Sequence, residues 1–171
     1  MTQTGSRNII LIGMPGVGKS TVGVVLAKAM GMAFVDTDLV IQEQTGFLLQ
    51  EIIDQKGLDA FAGIEEDVLT GLDVTGSVVA TGGSAVYSDA AMKHLGAAGP
   101  IVYLRASCEE IISRIHNLKS RGIALKPGMT LESLYAERIT LYEKYADITV
   151  DSTGVEETVA AIRKALQEKG V

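Results

Sequence analysis

Gly13-Met14-Pro15-Gly16-Val17-Gly18-Lys19-Ser20-Thr21 is the stretch whose reading decides the fold. Its spacing is G-x-x-x-x-G-K-[ST], that of a phosphate-binding loop. Glycines at 13, 16 and 18 lack a Cβ, so the backbone can curl and turn successive N–H groups inward toward an anion. Lys19 would reach the outer phosphates of a nucleoside triphosphate, and the Ser20 hydroxyl would ligate Mg²⁺. The flanks give the motif its context. Asn8-Ile9-Ile10-Leu11-Ile12 reads as a buried strand, and residues 19–30 (KSTVGVVLAKAM) carry apolar residues at helical spacing. A strand, a glycine loop and a helix N-terminus together aim a helix dipole at a phosphate.

Bulk properties narrow the class. A chain of 171 residues with 47% hydrophobic residues is one domain by size and buries a sizeable core. No apolar run is long enough to span a bilayer. The polar N-terminus, Met1 to Asn8, lacks the layout of a signal peptide. Cys108 is the only cysteine, so no internal disulfide forms and a reducing cytoplasm fits. The formal net charge of −6 gives no global attraction for nucleic acid. An anionic nucleotide must therefore be met by local cations and backbone donors.

Strands and helices alternate along the chain. After the first helix, ended by Gly31, residues 32–35 read as a strand that stops at Asp36-Thr37-Asp38. Helical pieces follow over about 39–45, 48–55 and 58–72, broken by Gly46 and Gly57. Residues 77–80 form a strand ending in Thr81-Gly82-Gly83-Ser84. Ser88 caps a helix over 88–96. Residues 100–104 form a fourth strand, and Ser107 caps a helix through about Leu118. The basic, aperiodic stretch 119–129 (KSRGIALKPGM) has the composition of a mobile loop. Thr130 caps a helix to Ala146, residues 148–150 form a fifth strand, and residues 154–169 close as an amphipathic helix. The alternation predicts an α/β fold, a three-layer α-β-α arrangement around a five-stranded parallel sheet.

A phosphate loop alone does not separate a kinase from a switch or a motor. Asp36 and Asp38 occupy alternate positions where the second strand ends, the edge at which open α/β sheets bind ligands. Phosphoryl transfer needs alignment, charge neutralisation and a group that orients or deprotonates the nucleophile. One carboxylate could hold Mg²⁺ through water while the other faces an acceptor hydroxyl. The structural alternative is that Asp36 and Asp38, the latter above all, cap the helix starting at Leu39. Arg121 and Arg138 are candidate preorganised cations. Their plain readings are a solvated loop arginine and a helix-surface ion pair.

Several motifs in order resemble the shikimate kinases along essentially the full length. They are Gly13–Thr21, Phe34-Val35-Asp36-Thr37-Asp38, Val79-Ala80-Thr81-Gly82-Gly83, Arg121, and Arg138 within Glu137-Arg138-Ile139-Thr140-Leu141-Tyr142. The resemblance implies a nucleoside-monophosphate-kinase-like P-loop fold with a mobile lid at about 117–130 and acceptor-binding helices over about 39–72. It implies ATP and Mg²⁺. Gly13, Pro15, Gly16, Val17, Gly18, Lys19, Ser20 and Thr21 would hold the nucleotide, with Arg114 on the adenine and Arg121 closing onto the phosphates. Ser20 would ligate the metal, with Asp36 helping through water. Asp38 would bind the acceptor hydroxyls and act as base. Gly82, Gly83 and Arg138 would hold the acceptor, with Arg138 on its carboxylate. Lys19, Asp38 and Arg121 make up the implied catalytic set.

The chain also departs from that family. Where shikimate kinases carry a Phe-Arg pair with a glutamate three residues on, this chain has Phe61-Ala62-Gly63-Ile64-Glu65. The missing arginine shares the shikimate carboxylate with the one matching Arg138. One charge-assisted hydrogen bond contributes roughly 1.5–3 kcal/mol, so its loss weakens acceptor binding by about one to two orders of magnitude. Ser84 replaces the third glycine of the family's triplet, Gly122 follows Arg121 where proline is usual, and Glu156 stands where a proline flanks adenine. The donor half is thus intact and the acceptor half altered. The leading expectation is a monomeric ATP-dependent kinase phosphorylating a hydroxyl of a small carboxylate metabolite, with shikimate the default acceptor. Another acceptor, such as homoserine, is the first alternative, and a nucleotide-binding module without turnover is the second.

Overall fold

Ile9–Ile12 (β1) is buried at every position, as a strand covered on both faces requires. In the computed structural model, which describes residues 7–115, 123 and 125–171, this strand is the centre of the sheet. It leads through the glycine loop into α1 (Lys19–Met30). There follow β2 (Ala33–Asp36), α2 (Thr37–Thr45), α3 (Leu49–Lys56), α4 (Leu58–Thr70), β3 (Ser77–Ala80) and a 3₁₀ turn (Ala85–Tyr87). The chain continues with α5 (Asp89–Ala98), β4 (Ile101–Arg105), α6 (Cys108–Arg114), α7 (Leu131–Tyr145), β5 (Ile148–Asp151) and α8 (Val155–Glu168).

The sheet order is β2-β3-β1-β4-β5, and every pairing is parallel. Ile10 lies opposite Val79 on one side and Ile101 on the other. Because β1 feeds a helix between two neighbours that come later in the chain, the crevice for a ligand opens at its C-terminal end. The five-stranded α/β architecture expected from the alternation of elements is the one observed.

Two apolar clusters hold the molecule. The larger joins the strands to α1, α5, α7 and α8. The smaller consists of Ile41, Leu49, Ile52, Phe61 and Val68 and packs α2, α3 and α4 on one another. The helices that resemblance assigns to the acceptor therefore share a core of their own, beside the sheet edge.

Two boundaries differ from the sequence reading in ways that bear on the site. α2 begins at Thr37, and its N-cap is Asp36, whose Oδ1 accepts from the Asp38 N–H at 3.0 Å. Capping falls to Asp36 because it ends the strand in extended geometry (φ −103°, ψ 115°), whereas Asp38 already lies within the first turn. The helix expected to run to about Leu118 closes at Arg114. Ile115 leaves helical geometry (φ −96°, ψ 69°) and buries its side chain over Gly16. Of the expected lid, only residues 123 and 125–130 are among those described. Among the described residues, no helix is long and apolar enough to cross a membrane.

Candidate active site

The phosphate loop enters α1 through Gly18, whose φ of +103° favours a residue without a Cβ. Lys19, the first residue of α1, is 8% exposed and donates from Nζ to the carbonyls of Gly13 and Met14 at 2.7 and 2.9 Å. Val17 is held from two sides: its carbonyl accepts from the Ser152 hydroxyl at 2.7 Å and from Arg114 Nη1 at 3.3 Å. Arg114 thus lies against the loop, on the rim of a cleft of about 740 Å³ that runs from Gly16, Gly18 and Lys19 to Asp38, Gly82 and Arg138. Pro15, Ser20 and Thr21 line the same cleft. Arg121 lies outside the described residues.

Asp36 uses its two oxygens separately. Oδ1 caps α2, and Oδ2 accepts from the Ser20 hydroxyl at 2.8 Å. Ser20 and Asp36 therefore form a pair of hard oxygen donors at the N-terminus of α1. Mg²⁺ favours such oxygens, and it takes few from protein when phosphates and water supply the rest.

The far end of the cleft is built by close approach. A Cβ on Gly82 would lie 2.7 Å from Asp38 Oδ1 and 3.0 Å from Glu65 Oε2. A Cβ on Gly83 would lie 2.7 Å from Pro15 Cδ and 2.8 Å from Arg138 Nη1. Two glycines in succession after β3 thus let two carboxylates, a proline of the phosphate loop and a guanidinium converge on one stretch of backbone. Thr81 ties that stretch to β1, its hydroxyl donating to the Leu11 carbonyl at 2.9 Å.

Both carboxylates are held toward their protonated forms. Burial pushes Asp38 up to about 6, with the charge of Asp36 adding and that of Lys19 opposing. Burial pushes Glu65 up to about 7; the Ser84 hydrogen bond opposes, Asp38 adds and Arg138 opposes. The Ser84 hydroxyl donates to Glu65 Oε1 at 2.7 Å. Glu65 Oε2 is buried with no hydrogen-bond partner among the described residues, and the residue is 4% exposed.

Arg138 is not the surface ion pair that its plain reading suggested. It shares the buried stripe of α7 with Leu134 and Tyr142, at intervals of one helical turn, and is 1% exposed. Nε donates to the Tyr87 hydroxyl at 3.3 Å, and the guanidinium lies 5.3 Å from that ring's centroid. It forms no ion pair with any described carboxylate within 4.0 Å. Three more residues of this wall carried no role in the sequence reading. Glu65 stood only as a retained glutamate, Tyr87 had no motif, and Tyr142 ended the quoted Glu137–Tyr142 stretch. Tyr142 donates its hydroxyl to the Gly83 carbonyl at 2.7 Å.

Phosphate loop, paired aspartates and converging glycines on a parallel sheet define a P-loop kinase of the small-molecule type. The sequence profile of the shikimate kinases matches residues 15–167. The shikimate kinase of Vibrio campbellii is 41% identical over 168 residues, 95% of this chain and 98% of that protein. That of Thiobacillus denitrificans is 38% identical over 165 residues, covering 95% and 89% of the two chains. Among solved structures, shikimate kinase from Acinetobacter baumannii in complex with shikimate is similar, with a TM-score of 0.87, 29% identity, and 96% and 94% coverage. Shikimate kinase from Aquifex aeolicus has a TM-score of 0.83 at 30% identity, covering 96% and 98%. The chain belongs to the shikimate kinase family. It is a phosphotransferase with an alcohol group as acceptor.

Proposed function

We propose that this chain transfers the γ-phosphate of ATP to shikimate, giving shikimate 3-phosphate. The observation that carries the acceptor half of this reading is Arg138, a guanidinium 1% exposed and without a carboxylate partner among the described residues. An unpaired charge removed from water costs several kcal/mol, so a cation held this way calls for an anionic ligand. An acceptor carboxylate on Arg138 puts the remainder of the ring against Gly82, Gly83 and Asp38, at the end of the cleft that begins at the phosphate loop.

In this reading the loop N–H groups and Lys19 hold the phosphates, and Arg121 adds positive charge to them. Arg114 packs on the adenine. Ser20 and Asp36 would hold Mg²⁺, which when bound would supply positive charge beside the transferring phosphoryl group. Asp38 orients the acceptor hydroxyl and takes its proton. A pKa near 6 suits that task, because the carboxylate is ionised at neutral pH yet basic enough to accept a proton. The chain works as a cytoplasmic monomer on small molecules; its net charge of −6 favours no nucleic-acid partner.

A second acceptor class is favoured by one specific arrangement. Ala62 removes a cation from the acceptor pocket, and Glu65 Oε2 is buried without a partner among the described residues. An acceptor with an ammonium group, such as homoserine, would place its carboxylate on Arg138 and its amine near the carboxylates. One experiment separates the two: ATP consumption with shikimate, homoserine and gluconate side by side, the product identified by mass and by ³¹P NMR. Preference for shikimate supports the main reading, and preference for homoserine overturns it. An Arg138→Ala variant with unchanged acceptor KM would remove the argument from the guanidinium.

A further inference from the structure

A second cavity, of about 380 Å³, adjoins the acceptor end of the cleft and shares Phe61, Ser84 and Arg138 with it. Ala62 and Glu65, three residues apart on one face of α4, border it. So does Lys126. The missing arginine of the family would have projected from position 62 into this space. A different cation already borders it, from a different part of the chain.

Lys126 is positioned by its backbone. The Lys126 carbonyl accepts from the Met129 N–H at 3.0 Å, and Gly128 has a φ of +80°. With Pro127 before that glycine, the four residues make a turn of the type that takes proline at its second position and glycine at its third. The lysine thus stands at the first position of a chemically specified turn. It forms no ion pair with a described carboxylate. The acidic groups around the cavity do not neutralise it. Glu66 accepts from the Ser88 hydroxyl, Glu65 is held toward its neutral form, and Asp59 and Glu137 are exposed to water.

We propose that Lys126 is a substrate-binding residue, holding the acceptor carboxylate together with Arg138 and so supplying the second cation that Ala62 lacks. The carboxylate enters from the cleft and meets Arg138, which borders both cavities, while the lysine approaches from the other side. Because Lys126 is exposed, its contribution is screened by salt, unlike that of a buried arginine. Acceptor affinity in this chain is therefore more salt-dependent than it would be with arginine at position 62.

The inference rests on the shikimate reading, and steady-state kinetics on the full chain tests it. Shikimate is varied at saturating ATP for the unaltered protein, Lys126→Ala, Lys126→Arg, and Lys126→Ala combined with Ala62→Arg. Lys126→Ala is expected to raise the shikimate KM about tenfold, the effect of losing one screened charge-assisted bond, with kcat within about twofold. Lys126→Arg restores KM, and so does Ala62→Arg in the Lys126→Ala background. The rise of KM between low and moderate salt is flatter in Lys126→Ala. An unmoved shikimate KM overturns the inference, as does a change confined to the ATP KM or to kcat. If the unaltered protein turns over shikimate and Lys126→Ala is neutral, this inference alone fails. If the unaltered protein does not turn over shikimate at all, the functional reading fails and takes the inference with it.

Discussion

Ser84 donates its hydroxyl to Glu65 Oε1 across 2.7 Å, and that bond ties one position at which the acceptor wall departs from its family to the retained glutamate three residues beyond the other, Ala62. Position 62 lacks the arginine that would stand three residues before Glu65, and position 84 carries a hydroxymethyl group in place of a hydrogen atom. Without an arginine at position 62 or a donor at position 84, Glu65 would be buried with neither oxygen satisfied. The serine supplies one donor, and the second oxygen stays without a partner among the described residues.

The two substitutions should therefore be energetically coupled. Ala62→Arg is expected to lower the shikimate KM a fewfold, since it adds a less screened cation beside the one that Lys126 supplies. Ser84→Gly alone should raise KM a fewfold. Combined with Ala62→Arg it should cost almost nothing, because the arginine then serves Glu65. A double-mutant cycle on KM measures this; coupling below about 0.5 kcal/mol would mean that the positions act independently.

Stability should carry the mark of Glu65. Its carboxyl is raised in the folded protein from 4.5 to about 7, so the folded state binds the proton more tightly than the unfolded chain. The stabilisation is fully present below about pH 4.5 and is lost as pH rises through about 7. Glu65→Gln, which cannot ionise, should flatten the fall in thermal midpoint between pH 5 and 8. At pH 8 it should be the more stable protein, by on the order of 1–3 kcal/mol. Parallel melting curves across that range decide the matter, and identical slopes would refute it.

Asp38 should set the acid limb of activity. With its carboxyl raised to about 6, kcat/KM for the acceptor should be level at neutral pH and fall about tenfold per unit well below 6. Asp38→Asn should lose at least about a hundredfold in kcat at all pH values. Asp36→Asn, which removes the charge that helps raise Asp38, should move the limb to lower pH. The pH profile of kcat/KM in the two variants separates these effects.

Gly82→Ala tests the close approach at the glycine turn. Its new methyl group would sit 2.7 Å from Asp38 Oδ1 and 3.0 Å from Glu65 Oε2. Both side chains would have to move, and kcat/KM should fall about a hundredfold, as expected when a reacting group is displaced by about 1 Å. The backbone at this position is not strained, so the thermal midpoint should change little. A variant with full activity would show that Asp38 need not stand where it does.

Much of this was legible before the fold was known, and the reasons are local. The glycine loop is readable because its chemistry depends on residues adjacent in sequence. The aspartates at 36 and 38 are readable because they end a strand and start a helix. The parallel sheet follows from alternating elements. What was not legible involves partners far apart in the chain. Nothing near Arg138 in sequence reveals that it faces the core of α7, because the stripe of Leu134 and Tyr142 becomes buried only when α7 packs on the sheet. The division of labour at Asp36 required knowing that the strand extends through it, so that the cap falls two residues earlier than the apolar pattern suggests. Glu65 could be recognised as a retained residue, yet its raised pKa arises from burial against a turn nineteen residues away.

Tyr142 has a longer reach than its single hydrogen bond suggests. Its ring stacks on Tyr103 of β4 with centroids 5.1 Å apart, and its hydroxyl holds the Gly83 carbonyl. The placement of the acceptor wall is thus inherited from the packing of the sheet interior. Selection on substrate preference and selection on thermal tolerance cannot proceed separately here. A change at Tyr103 that repacks the interior shifts the glycine turn, and a lineage adapting to heat through that pair would retune its choice of acceptor as a by-product.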